Sequence, residues 1–388
     1  MGKLRGFFIE FNNEQDVYNA GDTISGNVVI DLTEDKALSG ISMHYVGKAS
    51  VSWTEEESRG KQKILIYYSA LESYFDDHHF IWGEDPRRNP ASSDKKLKLP
   101  AGIHRFPFSY TLPQKPMPCS FEGELGNVRY SIKAIIERPW KYHHSTKKLF
   151  SVGGVPYDLN KEHHALTPIR CEDHKTVCCL CCATGPISLS ASTDRKAYVP
   201  GESVSISAFL ENNSNRNIHS TEAELIQSVT YIAYRGGHYG VRHSRTISHV
   251  VTSLKSEGCD RGGTVTWNDK KFKLPPTPPT GLHGCYFINI NYFIKFTADV
   301  VATPFDMDLM LPIVIGNIPL HCLYREEELT STPSDAGFPR PTYKHVYSGS
   351  AEVHDKDDDE YMYGDRHFAP VYSYYDWHDM VTQLTSKK

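Results

Sequence analysis

Nothing in the first eleven residues, Met1 to Phe11, forms a long apolar run, because Lys3, Arg5 and Glu10 interrupt it. Neither a secretory signal nor a membrane span is expected there, and the chain is expected to work in the cytoplasm. Gly2 does not read as a myristoylation site, since Gly6 stands where the pattern wants Ser or Thr. A strong charge of either sign is also lacking: the net charge of −5 gives no global attraction to nucleic acid or anionic lipid, so any basic contact must be local. Cysteine is present in a pattern that excludes a disulfide framework, because nine is an odd count and four crowd into Cys178, Cys179, Cys181 and Cys182. Helix-period apolar stripes are scarce, and there is no nucleophile elbow, phosphate-cradling loop or zinc-protease helix. An enzyme is therefore not expected, nor is a cofactor.

What the sequence does contain is a repeat. Its 388 residues are enough for two or three domains. Tyr18, Gly21, Asp22, Ile24 and Ser25 recur, 180 residues on, as Tyr198, Gly201, Glu202, Val204 and Ser205. In each copy a Gly and an acidic residue mark a turn, and a period-two run follows, as half-buried strands require. A second pair of alternating runs, Val128 to Ile136 and Ile288 to Phe296, lies about 160 residues apart. Extra loop in the first half, Glu84 to Lys98, accounts for the shorter offset. Turn residues recur every ten positions or so, the spacing of an antiparallel sandwich. The expected architecture is all-β: two tandem immunoglobulin-like β-sandwiches, at 5–155 and 185–323. A His- and Cys-rich linker at 156–184 and a disordered tail at 324–388 complete it.

Several residues carry a family likeness. In the first half these are Phe11, Asn12, Asn13, Val17, Tyr18, Gly21, Asp22 and Gly26. With them go the lead-in from Leu99 to Pro113 and the strand opening at Asn127, Val128, Arg129 and Tyr130. In the second half, Gly185 to Leu189, Tyr198, Pro200, Gly201, Glu202 and the stretch from Leu311 to His321 belong with them. In order and spacing this resembles the arrestin-domain-containing proteins, or α-arrestins, over about residues 5–322. The resemblance implies the arrestin fold and an adaptor that binds membrane-protein cargo. It also implies recruitment of a HECT-type ubiquitin ligase whose WW domains read Pro-Pro-any-Tyr in the tail, with peripheral recruitment to plasma membrane and endosomes. Such a peptide is already near a polyproline helix, so little ordering entropy remains on binding. The tail offers Pro341 with Tyr343 and Pro370 with Tyr372, but Arg340 and Ala369 stand where the first Pro belongs.

Other clusters have competing readings. Cys171, His174, Cys178 and Cys181 have spacings that could hold zinc, which would make a thiol or zinc sensor the alternative to an adaptor. Cys178, Cys179, Cys181 and Cys182 could equally be acylated, or stay as reduced thiols. Arg138, Lys141, Lys147 and Lys148 form a candidate basic patch for acidic or phosphorylated cargo, in preference to nucleic acid. The His pairs 78/79, 143/144 and 163/164 are expected to be solvated surface, because neighbours on a strand point to opposite faces. The acidic run from Asp355 to Glu360 spaces its Asp residues like a calcium loop but lacks the turn-making Gly, and is expected to be a solvated charge block.

Overall fold

Buried and exposed residues alternate along nearly every long strand, and that alternation builds the molecule. The computed structural model describes residues 4–12, 14–15, 17–60, 62–84, 97–138, 143–179, 182–237, 240–303, 306–323, 340–346, 351–352, 362–364 and 367–376. The first half contains β1 (Leu4–Phe11), β2 (Thr23–Leu32), β3 (Lys36–Leu38), β4 (Gly40–Arg59), β5 (Gln62–Gly83), β6 (Leu97–Leu99), β7 (Gly102–Thr111), β8 (Phe121–Glu122), β9 (Gly126–Glu137) and β10 (His144–Phe150). The second half contains β11 (Arg170–Cys179), β12 (Cys182–Thr193), β13 (Ala197–Tyr198), β14 (Ser203–Asn212), β15 (Ile218–Arg235), β16 (Arg242–Cys259), β17 (Thr264–Lys273), β18 (Ile288–Val300) and β19 (Met307–Ile315). Five short strands follow: β20 (Thr342–His345), β21 (Ala351–Glu352), β22 (Met362–Gly364), β23 (His367–Phe368) and β24 (Val371–Tyr374). Apart from two 3-10 turns, Leu159–Lys161 and His321–Leu323, the described residues hold no helix.

Each half is a sandwich. In the first, the sheet β1-β2-β7 covers β5-β4-β9-β10; in the second, β11-β12-β14-β17 covers β16, β15, β18, β19 and β13. Val128, Tyr130, Ile132, Ala134 and Ile136 on β9 are fully buried, as are Ile288, Ile290 and Ile294 on β18, so the period-two reading holds on both central strands. The sandwiches share one sheet, because β15 reaches β5 through the pairs Tyr234 with Ser69 and Arg235 with Tyr68. Across the same seam Arg235 meets Glu57 at 2.7 Å, Arg245 meets Glu55 at 3.0 Å, and the Tyr286 amide donates to Glu72.

The duplicated turn is one piece of local chemistry used twice. Gly21 and Gly201 have φ of 86° and 96°, in the region where only Gly is unstrained. The Asp22 carboxylate accepts from the Asn19 amide, and the Glu202 carboxylate from the Val199 amide, both at 2.8 Å. Gly21 donates to Leu112 and Gly201 to Leu274, and each turn's acidic residue accepts in return. Tyr18 and Tyr198 are buried below both turns.

Two expected boundaries move. The segment read as a linker, 156–184, is not one. Its first part packs on the second sandwich through Tyr157 with Asn317, Asn160 with Pro319, and buried Leu159. Its second part is β11, an edge strand paired with β12 from Arg170 opposite Ser192 onward, so the second sandwich begins before residue 185. The tail read as disordered also has structure within its described residues: β20 pairs with β24, β21 with β23, and β22 lies parallel to β10. Buried aromatic surface, with Phe368, Tyr372, Tyr374 and Tyr375 all nearly inaccessible, offsets the ordering entropy that the composition alone could not.

Candidate functional site at the domain seam

The two tail motifs lie side by side. β20 and β24 run antiparallel, with Thr342 opposite Tyr374, Tyr343 opposite Ser373 and Lys344 opposite Tyr372. Val346 closes this ladder by donating to Pro370 at 3.1 Å. The motifs differ in access: Tyr343 is 38% exposed, whereas Tyr372 is 6% exposed and Pro370 is buried. Tyr372 enters the main apolar core, and its hydroxyl donates to the Ser120 carbonyl at 3.0 Å. Three residues on, Tyr375 enters a second apolar cluster with Leu159, Val199 and Leu320. Its hydroxyl donates to the Asn317 carbonyl at 2.8 Å and its amide to the Pro200 carbonyl at 3.0 Å. On the first sandwich the Val371 amide meets the Ser151 hydroxyl at 3.3 Å. One extended segment therefore bridges both sandwiches.

Burial governs the chemistry here. It pushes the Tyr372 hydroxyl well above its ordinary value, with Cys119 and Tyr292 nearby adding to the rise, so the ring is a neutral donor across the physiological range. Burial likewise raises Tyr375. The Cys119 thiol is pushed up to about 12 by the same desolvation, which makes it a poor nucleophile. At the outer end, the Tyr374 ring lies 3.8 Å from the Lys344 ammonium and 5.3 Å from that of Lys273, while Asp376 pairs with both lysines. A crevice of about 250 Å³ remains beside the segment, lined by Val17, Gly154, Asn317, Pro341, Tyr343 and Tyr372 among others.

Comparison with known proteins decides the family. The arrestin (or S-antigen) N-terminal domain matches residues 7–160 and the arrestin C-terminal domain matches 183–320. Arrestin domain-containing protein 17 of Caenorhabditis elegans is 30% identical over 355 residues, covering 89% of this chain and 78% of the relative. Arrestin domain-containing protein 4 of Homo sapiens is 32% identical over 322 residues, covering 82% and 72%. This chain belongs to the arrestin-domain-containing family. Thioredoxin-interacting protein of Sus scrofa, at 26% identity over 81% of this chain, is a more distant relative. Fold and family together are those of an arrestin-type adaptor. Among the described residues no helix is long and apolar enough to cross a membrane.

The remaining sites of this arrestin-domain protein are scattered. Cys171 and His174, three apart on β11, lie on opposite faces: the Cys171 thiol donates to the Met310 carbonyl at 3.3 Å, and His174 Nδ1 meets the Ser188 hydroxyl at 3.0 Å. The zinc set is thus not assembled by its first two members, and no group of three candidate ligands gathers among the described residues. Cys178 and Cys179 pair with Ala183 and Cys182 at the end of the β11–β12 hairpin, and Cys181 lies outside the described residues.

Of the basic residues, the two on β10 do not share a face. Lys147 and Lys148 are neighbours on β10 and point oppositely. Lys147 is buried, whereas Lys148 pairs with Glu14 at 2.9 Å and lies 4.3 Å above the Phe11 ring. The Arg138 amide donates to His143 Nδ1 at 3.1 Å, and Lys141 lies outside the described residues. Of the His pairs, His163, His164 and His79 are exposed and His78 is half-buried. His144 is buried against Tyr363, contrary to the solvated reading. The run from Asp355 to Glu360 lies outside the described residues.

The seam-bound tail is the feature that composition missed. A signal was present in the crowding of Val371, Tyr372, Tyr374 and Tyr375, all β-favouring residues.

Proposed function

We propose that this chain is an adaptor that binds membrane-protein cargo and recruits a HECT-type ubiquitin ligase through its WW domains, for endocytosis and protein sorting. The supporting observation is the position of Pro341–Thr342–Tyr343. Thr342 and Tyr343 are exposed on the short β20, and Pro341 stands half-buried immediately before it. A WW groove needs one proline face and one tyrosine ring, and both are within reach there. Loss of the first Pro to Arg340 removes one packing contact, on the order of 1 kcal/mol. The test is capture of the full chain by a panel of purified WW domains, with Tyr343 and Tyr372 changed to Ala together. Capture should fall by at least about tenfold; undiminished capture removes both motifs from the account.

A second reading is an arrestin-fold scaffold that sorts cargo without a ligase. Burial of Tyr372 favours it, because that ring is unavailable while the tail is seated. Proximity labelling in cells separates the two, since a WW-bearing ligase appears among the neighbours only under the first.

A further inference from the structure

The seam is shaped as a peptide site, and the tail fills it as a ligand would. Tyr372 and Tyr375 are three positions apart, roughly 10 Å along an extended chain, with their rings on opposite sides. They enter different apolar clusters, and each cluster ends in a backbone carbonyl, Ser120 for one and Asn317 for the other. A pocket that ends in an acceptor selects Tyr over Phe, because an unmet buried carbonyl is costly. Two backbone amides of the segment are also read, Val371 by the first sandwich and Tyr375 by the second. Gly201 completes the seat: a Cβ there would overlap the Tyr375 carbonyl oxygen, so the absence of a side chain is what lets the segment lie flat.

We propose that the domain seam is a binding site for an extended Tyr-any-any-Tyr peptide, and that Tyr372–Tyr375 of this chain's own tail is its ligand in cis, masking the Pro370–Tyr372 motif until the tail leaves. The masking half rests on the WW reading above; the binding-site half does not. A WW domain and the seam both need the Tyr372 ring, so the two bound states exclude each other. The apparent affinity of the full chain for a WW domain is then the peptide's affinity scaled by the fraction of tails released.

The experiment uses the full chain carrying Tyr343→Ala, which leaves the second motif alone to report. A purified WW domain is titrated against this chain, against the same chain with Tyr375→Ala or Tyr375→Phe added, and against a synthetic peptide spanning residues 366–377. Tyr375 lies outside the motif, so its change leaves the WW ligand intact. The peptide should bind at least about tenfold more tightly than the full chain, Tyr375→Ala should recover most of that gap, and Tyr375→Phe should recover part of it. Equal binding by peptide and full chain, or no response to Tyr375→Ala, overturns the masking.

Amide exchange of the same proteins reads the seat independently of any WW domain. Protection of the Val371 and Tyr375 amides that collapses in Tyr375→Ala supports the site; fast exchange in both proteins overturns it. Should the peptide itself fail to bind, the WW reading falls, and the exchange result alone decides whether the seam holds the tail.

Discussion

The turn after Tyr18 and the turn after Tyr198 are made from the same bonds, yet only the second carries another segment. Around Gly21 the nearest neighbour to a notional Cβ is the flexible side chain of Gln114, at 3.2 Å. Around Gly201 it is the carbonyl of Tyr375, just past the end of β24 in the tail. Pro200, next to that glycine, accepts the Tyr375 amide. A duplicated element has thus kept its internal geometry in both copies while its outer surface has been used differently. The shared bonds close the sandwiches; the difference ties the second sandwich to the tail and, through Tyr372, to the first.

The strongest way to break the symmetry is to add one methyl group to each turn. Gly21→Ala forces a left-handed conformation on a residue with a Cβ, at about 1–2 kcal/mol. Gly201→Ala incurs the same strain and also displaces Tyr375, whose lost burial adds on the order of 2 kcal/mol. Denaturant unfolding should therefore show the larger loss for Gly201→Ala, and amide exchange at Val371 and Tyr375 should rise in that variant alone. Equal losses with a tail still protected would mean that the second turn does not seat the tail.

A finer comparison runs through the two central strands. Tyr130 on β9 donates to the Pro118 carbonyl at 2.6 Å, and Tyr292 on β18 donates to the Pro278 carbonyl at 2.8 Å, so each buried ring fixes a proline-rich loop in the same manner. Tyr292 has one further duty, since its oxygen accepts from the Gln227 amide at 2.6 Å. Changing either to Phe keeps the ring and strands its partners. Tyr130→Phe leaves one buried carbonyl unmet by that hydroxyl, about 1–2 kcal/mol, and Tyr292→Phe leaves a carbonyl and an amide, about 2–3 kcal/mol. Urea unfolding of the two variants measures the gap; no difference would show that Gln227 finds a substitute acceptor.

These comparisons also explain which features the sequence discloses. The turns are legible because their chemistry acts within three residues: a Gly for positive φ and a carboxylate that folds back onto a nearby amide. The central strands are legible because both of their faces are constrained. β11 is hidden, since Glu172, Asp173, His174 and Lys175 give it no apolar face and its place at a sheet edge needs none. The tail strands are hidden for a different reason. Residues about thirty apart pair over only four positions, and the groove that buries Tyr372 exists only once two distant sandwiches have met. Within the candidate basic patch, one separation follows from a rule that was available at the start: strand alternation puts Lys147 and Lys148 on opposite faces.

The smallest expected difference concerns how each turn is braced from outside. Beside the second turn, the Glu162 carboxylate accepts from Lys196 at 2.7 Å and from the Tyr157 hydroxyl at 2.8 Å. Burial pushes that carboxylate up, but the bonds from Lys196 and Tyr157 outweigh it and hold Glu162 below its ordinary value of 4.5. Beside the first turn, Glu14 pairs with Lys148 while its carboxylate stays 68% exposed, where water screens the pair. A carboxylate depressed in the folded state binds fewer protons there than in the unfolded chain. Its stabilisation is complete above the ordinary value and is lost as pH falls through the lower folded one. The wild-type chain should therefore lose about 1 kcal/mol through Glu162 as pH drops below the ordinary carboxylate range. Glu162→Gln should flatten that part of the stability profile. Parallel profiles for the two proteins in that window would show that Glu162 does not brace the second turn, and that the tail alone distinguishes the two copies.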